Sequence, residues 1–146
     1  LGCGAGAVGL AAARRVGPTG HVTFVDSNLR ATTLAEFNAR QSGLRHFDVV
    51  AARRLEGLPG ETYDVILTNP PYYAIDSITH LFVERSRELL KPGGRFYLVT
   101  KQWESVEPIV RRFYGEPEVF ENRGYFILCA RKPEASSSTL PISLPS

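Results

Sequence analysis

The chain has 146 residues, 43% hydrophobic and 22% charged, with a formal net charge of +2, which describes one globular domain large enough for a sizeable core. No apolar run approaches the ~20 residues needed to span a bilayer, and no signal peptide is visible. Cys3 and Cys129 are the only cysteines and lie far apart, so neither a disulfide framework nor a zinc site is indicated and a reduced cytosol is the expected setting.

The chain contains no methionine, and Leu1-Gly2-Cys3-Gly4 reads as the middle of a strand-to-loop junction. An N-terminally truncated fragment is therefore expected, with at least a first strand upstream. The glycine loop Gly2 to Gly6 leads into a helix over Ala7 to Val16, which Gly17-Pro18-Thr19-Gly20 ends. His21 to Val25 is strand-like and closes at Asp26. Leu29 to Gln41 has helical character and stops at Ser42-Gly43. Phe47 to Ala51 is a weak strand and Tyr63 to Thr68 a stronger one. Ile78, Leu81, Phe82, Arg85 and Leu89 follow helical spacing up to Lys91-Pro92-Gly93-Gly94. Arg95 to Thr100 is again strand-like. Val106, Ile109, Val110, Phe113 and Tyr114 form a helical stripe. Two runs, Glu118 to Glu121 and Tyr125 to Ala130, are separated only by Asn122-Arg123-Gly124, too short for a parallel crossover, so they must pair antiparallel. Alternating strands and helices give an α/β class, a mainly parallel, Rossmann-like doubly wound sheet ending in one antiparallel hairpin. The domain is expected over 1–132. Residues 133–146, rich in Ser and Pro, read as a disordered tail.

Three constellations carry chemistry. Gly2-Cys3-Gly4-Ala5-Gly6 sits where a tight turn lets a ligand approach the backbone. Its G-x-G-x-G spacing differs from the dinucleotide fingerprint. Asp26 follows 20 residues beyond Gly6, where an acid can accept hydrogen bonds from both ribose hydroxyls; a turn or helix-capping Asp is the plainer alternative. Ser27 beside it, and the small residues Ala51 and Ala52 at the end of the next strand, flank the same expected crevice. The third is Asn69-Pro70-Pro71-Tyr72. Two prolines stop the strand and stiffen the backbone, which presents an amide, a carbonyl and an aromatic ring together. The Asn69 side-chain oxygen and the Pro70 carbonyl can each accept one N–H of a planar amine, turning its lone pair toward an electrophile, while Tyr72 stacks on the plane. No general base is needed, because the alkylated cationic product is acidic enough to lose its proton to water. The arginine pairs at 14–15, 53–54 and 111–112 fit phosphate contact or solvated helix faces. His21, His46 and His80 show no metal-ligand spacing, and no metal is expected. Cys3 reads as a small filler. Lys101 and Trp103 follow a strand at the same sheet edge, and Tyr73 is either a second stacking ring or packing.

Together these residues resemble the class I S-adenosylmethionine-dependent methyltransferases. Gly2, Cys3, Gly4 and Gly6 match that family's first motif, Asp26 its ribose-binding acid, and Asn69 to Tyr72 its Asn-Pro-Pro-Tyr motif for methylating amino nitrogens. The resemblance is greatest to the "methyltransferase small" domain of ribosomal RNA guanine-N2 methyltransferases, because a helix follows Tyr73 almost at once. It implies S-adenosylmethionine as cofactor, Asn69, Pro70 and Tyr72 as catalytic, Asn69 also touching the cofactor, and ribosomal RNA or a ribosomal subunit as partner, in the cytoplasm. An adenine N6, a glutamine amide in a release factor, and an inactive RNA-binding duplicate domain stay open beside guanine N2. The family's acidic residue before Leu1 and the N-terminal duplicate domain of the ribosomal RNA branch do not occur in this sequence. The oligomeric state is not legible.

Overall fold

The computed structural model describes residues 2–4, 6–71 and 77–135. Four helices and six strands occur among them: α1 (Ala7–Val16), β1 (Val22–Asp26), α2 (Leu29–Gln41), β2 (Phe47–Ala51), β3 (Tyr63–Thr68), α3 (Ser77–Leu89), β4 (Leu90–Thr100), α4 (Trp103–Tyr114), β5 (Glu118–Asn122) and β6 (Tyr125–Arg131). The strands form two separate sheets, β1-β2 and β3-β4-β6-β5. Pairing is parallel in β1/β2 and β3/β4 and antiparallel in β4/β6 and β5/β6. The expected α/β architecture with a terminal antiparallel hairpin is what forms. Residues 136–146 of the expected tail lie outside the described residues.

Local chemistry explains the boundaries. Asn28, extended at φ −94°, caps α2 through its side-chain oxygen, which accepts the Arg30 N–H at 2.9 Å. Arg123 and Gly124 both have positive φ, 51° and 80°, and make the two-residue turn of the β5–β6 hairpin, since such turns match the twist of antiparallel strands. One boundary differs from expectation. Lys91-Pro92-Gly93-Gly94 does not separate helix from strand; β4 already begins at Leu90. Tyr63 pairs with Leu90 and Val65 with Arg95, so residues 91–94 bulge out of the ladder. The bulge is tied back by hydrogen bonds from Gly93 N–H to the Lys132 carbonyl and from Lys132 N–H to the Gly94 carbonyl, each 2.9 Å. Tertiary pairing overrides the local turn signal here.

The core is in two parts. The larger joins Ile66 of β3, Phe96 and Leu98 of β4 and Leu128 of β6 to Val83 and Leu89 of α3 and Val106 and Val110 of α4, with Val25 and Ala52 reaching it from the other sheet. The smaller consists of Phe24 of β1 with Ala35 and Ala39 of α2. Between β1 and β3 lies a largely apolar cavity of about 570 Å³, lined by Val8, Phe24, Val65 and Leu67 among others. Gly2, Cys3 and Asn69 also line it.

Candidate active site at the carboxyl ends of the strands

Asp26 ends β1, Ala51 ends β2 and Asn69 follows β3. Asp26 and Ala51 therefore emerge at one edge of their parallel sheet, the position where open α/β sheets bind ligands, and the close approach of Gly2 to Asn69 brings the end of β3 to the same place. The register brings β1 and β2 level, Asp26 against Ala51. The Ala52 N–H donates to the Asp26 carbonyl at 3.0 Å and fastens the two strand ends.

The glycine loop is held by polar ties. Cys3 N–H donates to the Val25 carbonyl at 2.9 Å and Gly6 N–H to the Cys3 carbonyl at 2.8 Å. Asp26 uses both carboxylate oxygens: Oδ2 accepts the Gly4 N–H at 3.0 Å and Oδ1 the Asn28 N–H at 2.9 Å. Asp26 is thus neither the cap of α2, a role Asn28 fills, nor an idle turn residue. It joins the glycine loop to the start of α2. A carboxylate offers about four lone-pair sites, so capacity for two hydroxyl donors remains.

Gly2 has φ +63°, and a Cβ on it would meet the Asn69 backbone carbonyl at 3.3 Å. The expected cofactor loop and the expected acceptor motif are therefore neighbours. Gly4, at φ +51°, has nothing within 4 Å of where a Cβ would stand, so the crown of the loop is open. Gly6 is the N-cap of α1 with no side-chain capping bond, which leaves backbone donors of the first helical turn available to an anion. Burial pushes the Cys3 thiol above its ordinary pKa, and the Asp26 carboxylate pushes the same way. The thiol is neutral, as suits a filler and not a nucleophile.

The remaining expected residues are placed less uniformly. Ser27 and Ala51 are exposed at the crevice edge. Ala52 is buried at 6% exposure and packs into the larger core, so only its backbone borders the crevice. Asn69 is exposed, with Pro70 and Pro71 half-buried behind it. Tyr72 and Tyr73 lie outside the described residues. Among the described residues no group of His, Cys, Asp and Glu could hold a metal ion.

Sequence reasoning missed what supports the loop. A Cβ on Gly9, inside α1, would overlap the Phe24 ring, and Gly6 also sits 3.3 Å from that ring by the same measure. Phe24 is thus the floor of the glycine loop. A glycine inside an alanine-rich helix was the available signal. Beyond β2, the exposed Glu56 carboxylate accepts the N–H groups of Arg53 and Arg54 at 3.3 and 2.7 Å. Backbone donors, its own N–H first and that of Arg54 next, hold it below the usual carboxylate range.

The methyltransferase small domain family matches residues 1–129. YbxB of Bacillus subtilis is 29% identical over 90% of this chain and 68% of its own length. Ribosomal RNA large subunit methyltransferase G of Streptomyces avermitilis is 30% identical over 88% of this chain but 34% of its own length. The chain therefore spans about a third of that relative. Among solved structures, the Thermus thermophilus 16S rRNA N2 G1207 methyltransferase, RsmC, in complex with AdoMet and guanosine, superposes with a TM-score of 0.77 at 25% identity, over 90% of this chain and 36% of that one.

Proposed function

The chain belongs to the methyltransferase small domain family, S-adenosylmethionine-dependent methyltransferases, and from that premise we propose that it transfers a methyl group to an exocyclic amino nitrogen, guanine N2 of ribosomal RNA. The observation that carries this reading is the abutment of the two half-sites: Gly2 of the cofactor loop lies against the Asn69 carbonyl. A donor held by the loop and an amine held by Asn69 would share one crevice.

The residues fit S-adenosylmethionine. Asp26 has lone pairs to spare for the ribose hydroxyls, and the open crown at Gly4 admits a ligand against the backbone. The uncapped N-terminus of α1 suits the amino-acid carboxylate. Ser27 and Ala51, with the backbone of Ala52, border the adenine side. When bound, the cofactor supplies an electrophilic methyl on a sulfonium. The protein's own part is orientation and charge. The Asn69 side-chain oxygen and the Pro70 carbonyl accept the two N–H groups of the amine, which aims its lone pair and stabilises the positive charge that grows on nitrogen. The extra proton leaves to water. Tyr72 is assigned the stacking role from sequence alone.

Guanine N2 is favoured by RsmC, whose described complex contains guanosine, and ribosomal RNA by the names of the curated relatives. Duplex or folded RNA would have to give up the base by flipping it out. We place the reaction in the cytoplasm, with the ribosomal RNA that the curated relatives' names point to. No helix among the described residues is long and apolar enough to cross a membrane. The domain is assigned to 1–132.

The test is methyl transfer from labelled S-adenosylmethionine to ribosomal RNA by the full-length protein, with the product nucleoside identified by mass. Asn69→Ala should lower kcat by about 10²–10³, the size of losing one such acceptor, while the cofactor Kd stays within about twofold. Unimpaired transfer in the variant removes Asn69 from the mechanism.

A further inference from the structure

Next to Asn69, at the same sheet edge, stands a cluster that the methyl-transfer chemistry does not use. Thr68 of β3 is level with Leu98 of β4, and Thr100 of β4 pairs with Phe126 of β6. Lys101, Trp103 and Tyr125 therefore gather where β4 ends and β6 begins, about 10 Å, two strand spacings, from the strand that carries Asn69. The Lys101 ammonium lies 4.8 Å from the centre of the Tyr125 ring. Behind it the Trp103 and Phe126 rings pack 6.0 Å apart. Tyr125 is 45% exposed. At the adjoining turn, exposed Arg123 is held at φ 51°. Among the described residues Lys101 and Arg123, like most of the lysines and arginines, have no carboxylate partner.

We infer that Tyr125, Lys101 and Arg123 form a stacking platform for single-stranded RNA nucleotides that flank the base presented to Asn69, an inference that rests on the RNA reading above. An exposed aromatic ring with one cation against it and a second at the adjoining turn is the composition that binds single strands, since any base can stack and any phosphate can pair. Packing of Trp103 on Phe126 stiffens the base of the platform. The Lys101–Tyr125 contact acts as a placeholder. An exposed cation–aromatic contact is weaker than base stacking, so an arriving base displaces the ammonium from the ring, and Lys101 turns to the neighbouring phosphate. Stacking reads no base identity by itself, so the platform sets affinity and the direction of the strand, and Asn69 selects the amine.

The experiment uses full-length protein with a ribosomal RNA fragment and, in parallel, guanosine, which has no flanking nucleotides. Tyr125→Ala should raise KM for the RNA about tenfold or more, leave kcat within about twofold, and leave guanosine methylation and cofactor Kd unchanged; Tyr125→Phe should restore the KM. Lys101→Ala should lower the slope of log KM against log salt by about one, a readout that a merely structural lysine would not move. Wild-type protein that methylates a protein amide and no RNA overturns both the acceptor reading and the platform. Wild-type activity on RNA with unchanged KM in Tyr125→Ala and unchanged salt slope in Lys101→Ala overturns the platform alone. A Tyr125→Ala loss shared equally by RNA and guanosine also overturns it, since that is a folding defect.

Discussion

On the acceptor side, Phe96, Leu98 and Leu128 of β4 and β6 are fully buried together with Val83 of α3 and Val110 of α4; on the cofactor side, the corresponding cluster is Phe24 with two alanines of α2. The helices differ as well. No residue of α1 is buried, and α2 leaves Leu34 and Phe37 exposed, whereas α3 buries five residues. Asn69, the proposed acceptor residue, thus follows a strand packed into the larger core. The glycine loop is held by the Phe24 ring and by polar ties through Asp26. Segments with few buried apolar contacts open locally at low free-energy cost, and a ligand that binds only the closed form stabilises it by mass action. The two sides therefore differ in packing, with a large apolar core beside Asn69 and a small one beneath the glycine loop.

The largest test of that contrast removes a ring from each side. Phe96 is fully buried and stacks on Tyr114 with centroids 5.1 Å apart and planes 6° from parallel. Phe96→Ala should cost about 3–5 kcal/mol of stability, read from denaturant unfolding of the full-length protein, with protection lost in amide exchange across β3, β4 and β6 together. Phe24→Ala should lose protection in the glycine loop, α1 and β1 while β4 and β6 stay protected. Equal loss across both sides in both variants would dissolve the distinction.

A smaller change sharpens it. Since a Cβ on Gly9 overlaps the buried Phe24 ring, Gly9→Ala must lift α1 or displace the ring, at a cost of about 1–3 kcal/mol for an overpacked site. Cofactor affinity measured by calorimetry should fall, and saturating cofactor should recover part of the lost stability. A fall in stability with unchanged cofactor affinity would mean that the loop does not depend on the floor beneath it.

Much of this was legible in the chain. The helix Ala7–Val16, the strand Tyr63–Thr68 and the hairpin followed from periodicity and turn residues, because each is specified by neighbours in sequence. The places of Asp26 and Asn69 at strand ends were legible. What was not legible depends on contacts between distant residues. The start of β4 at Leu90 is decided by pairing with Tyr63 and by the Lys132 ties. The dependence of the glycine loop on Phe24, and the burial of Ala52 that leaves only its backbone at the crevice, arise from packing across elements. The meeting of Lys101 with Tyr125 requires the β4–β6 register, which no local pattern encodes.

The gentlest probe of the donor loop is the thiol it contains. Burial first, and the Asp26 carboxylate second, raise the Cys3 pKa. In a variant where Cys3 is the only cysteine, alkylation near pH 8 should run slower in the folded protein than in urea, because the thiolate is the reacting form. The pH at which the rate rises should lie above that of the unfolded chain. Asp26→Asn removes the neighbouring negative charge and should move that midpoint down toward the ordinary value, whereas a loop that had merely come loose would raise the plateau rate as well. Cofactor binding should slow the reaction further by closing the loop over the thiol. An identical pH midpoint with and without the Asp26 carboxylate would show that this charge does not act on the Cys3 thiol in solution, leaving burial as the cause of its raised pKa.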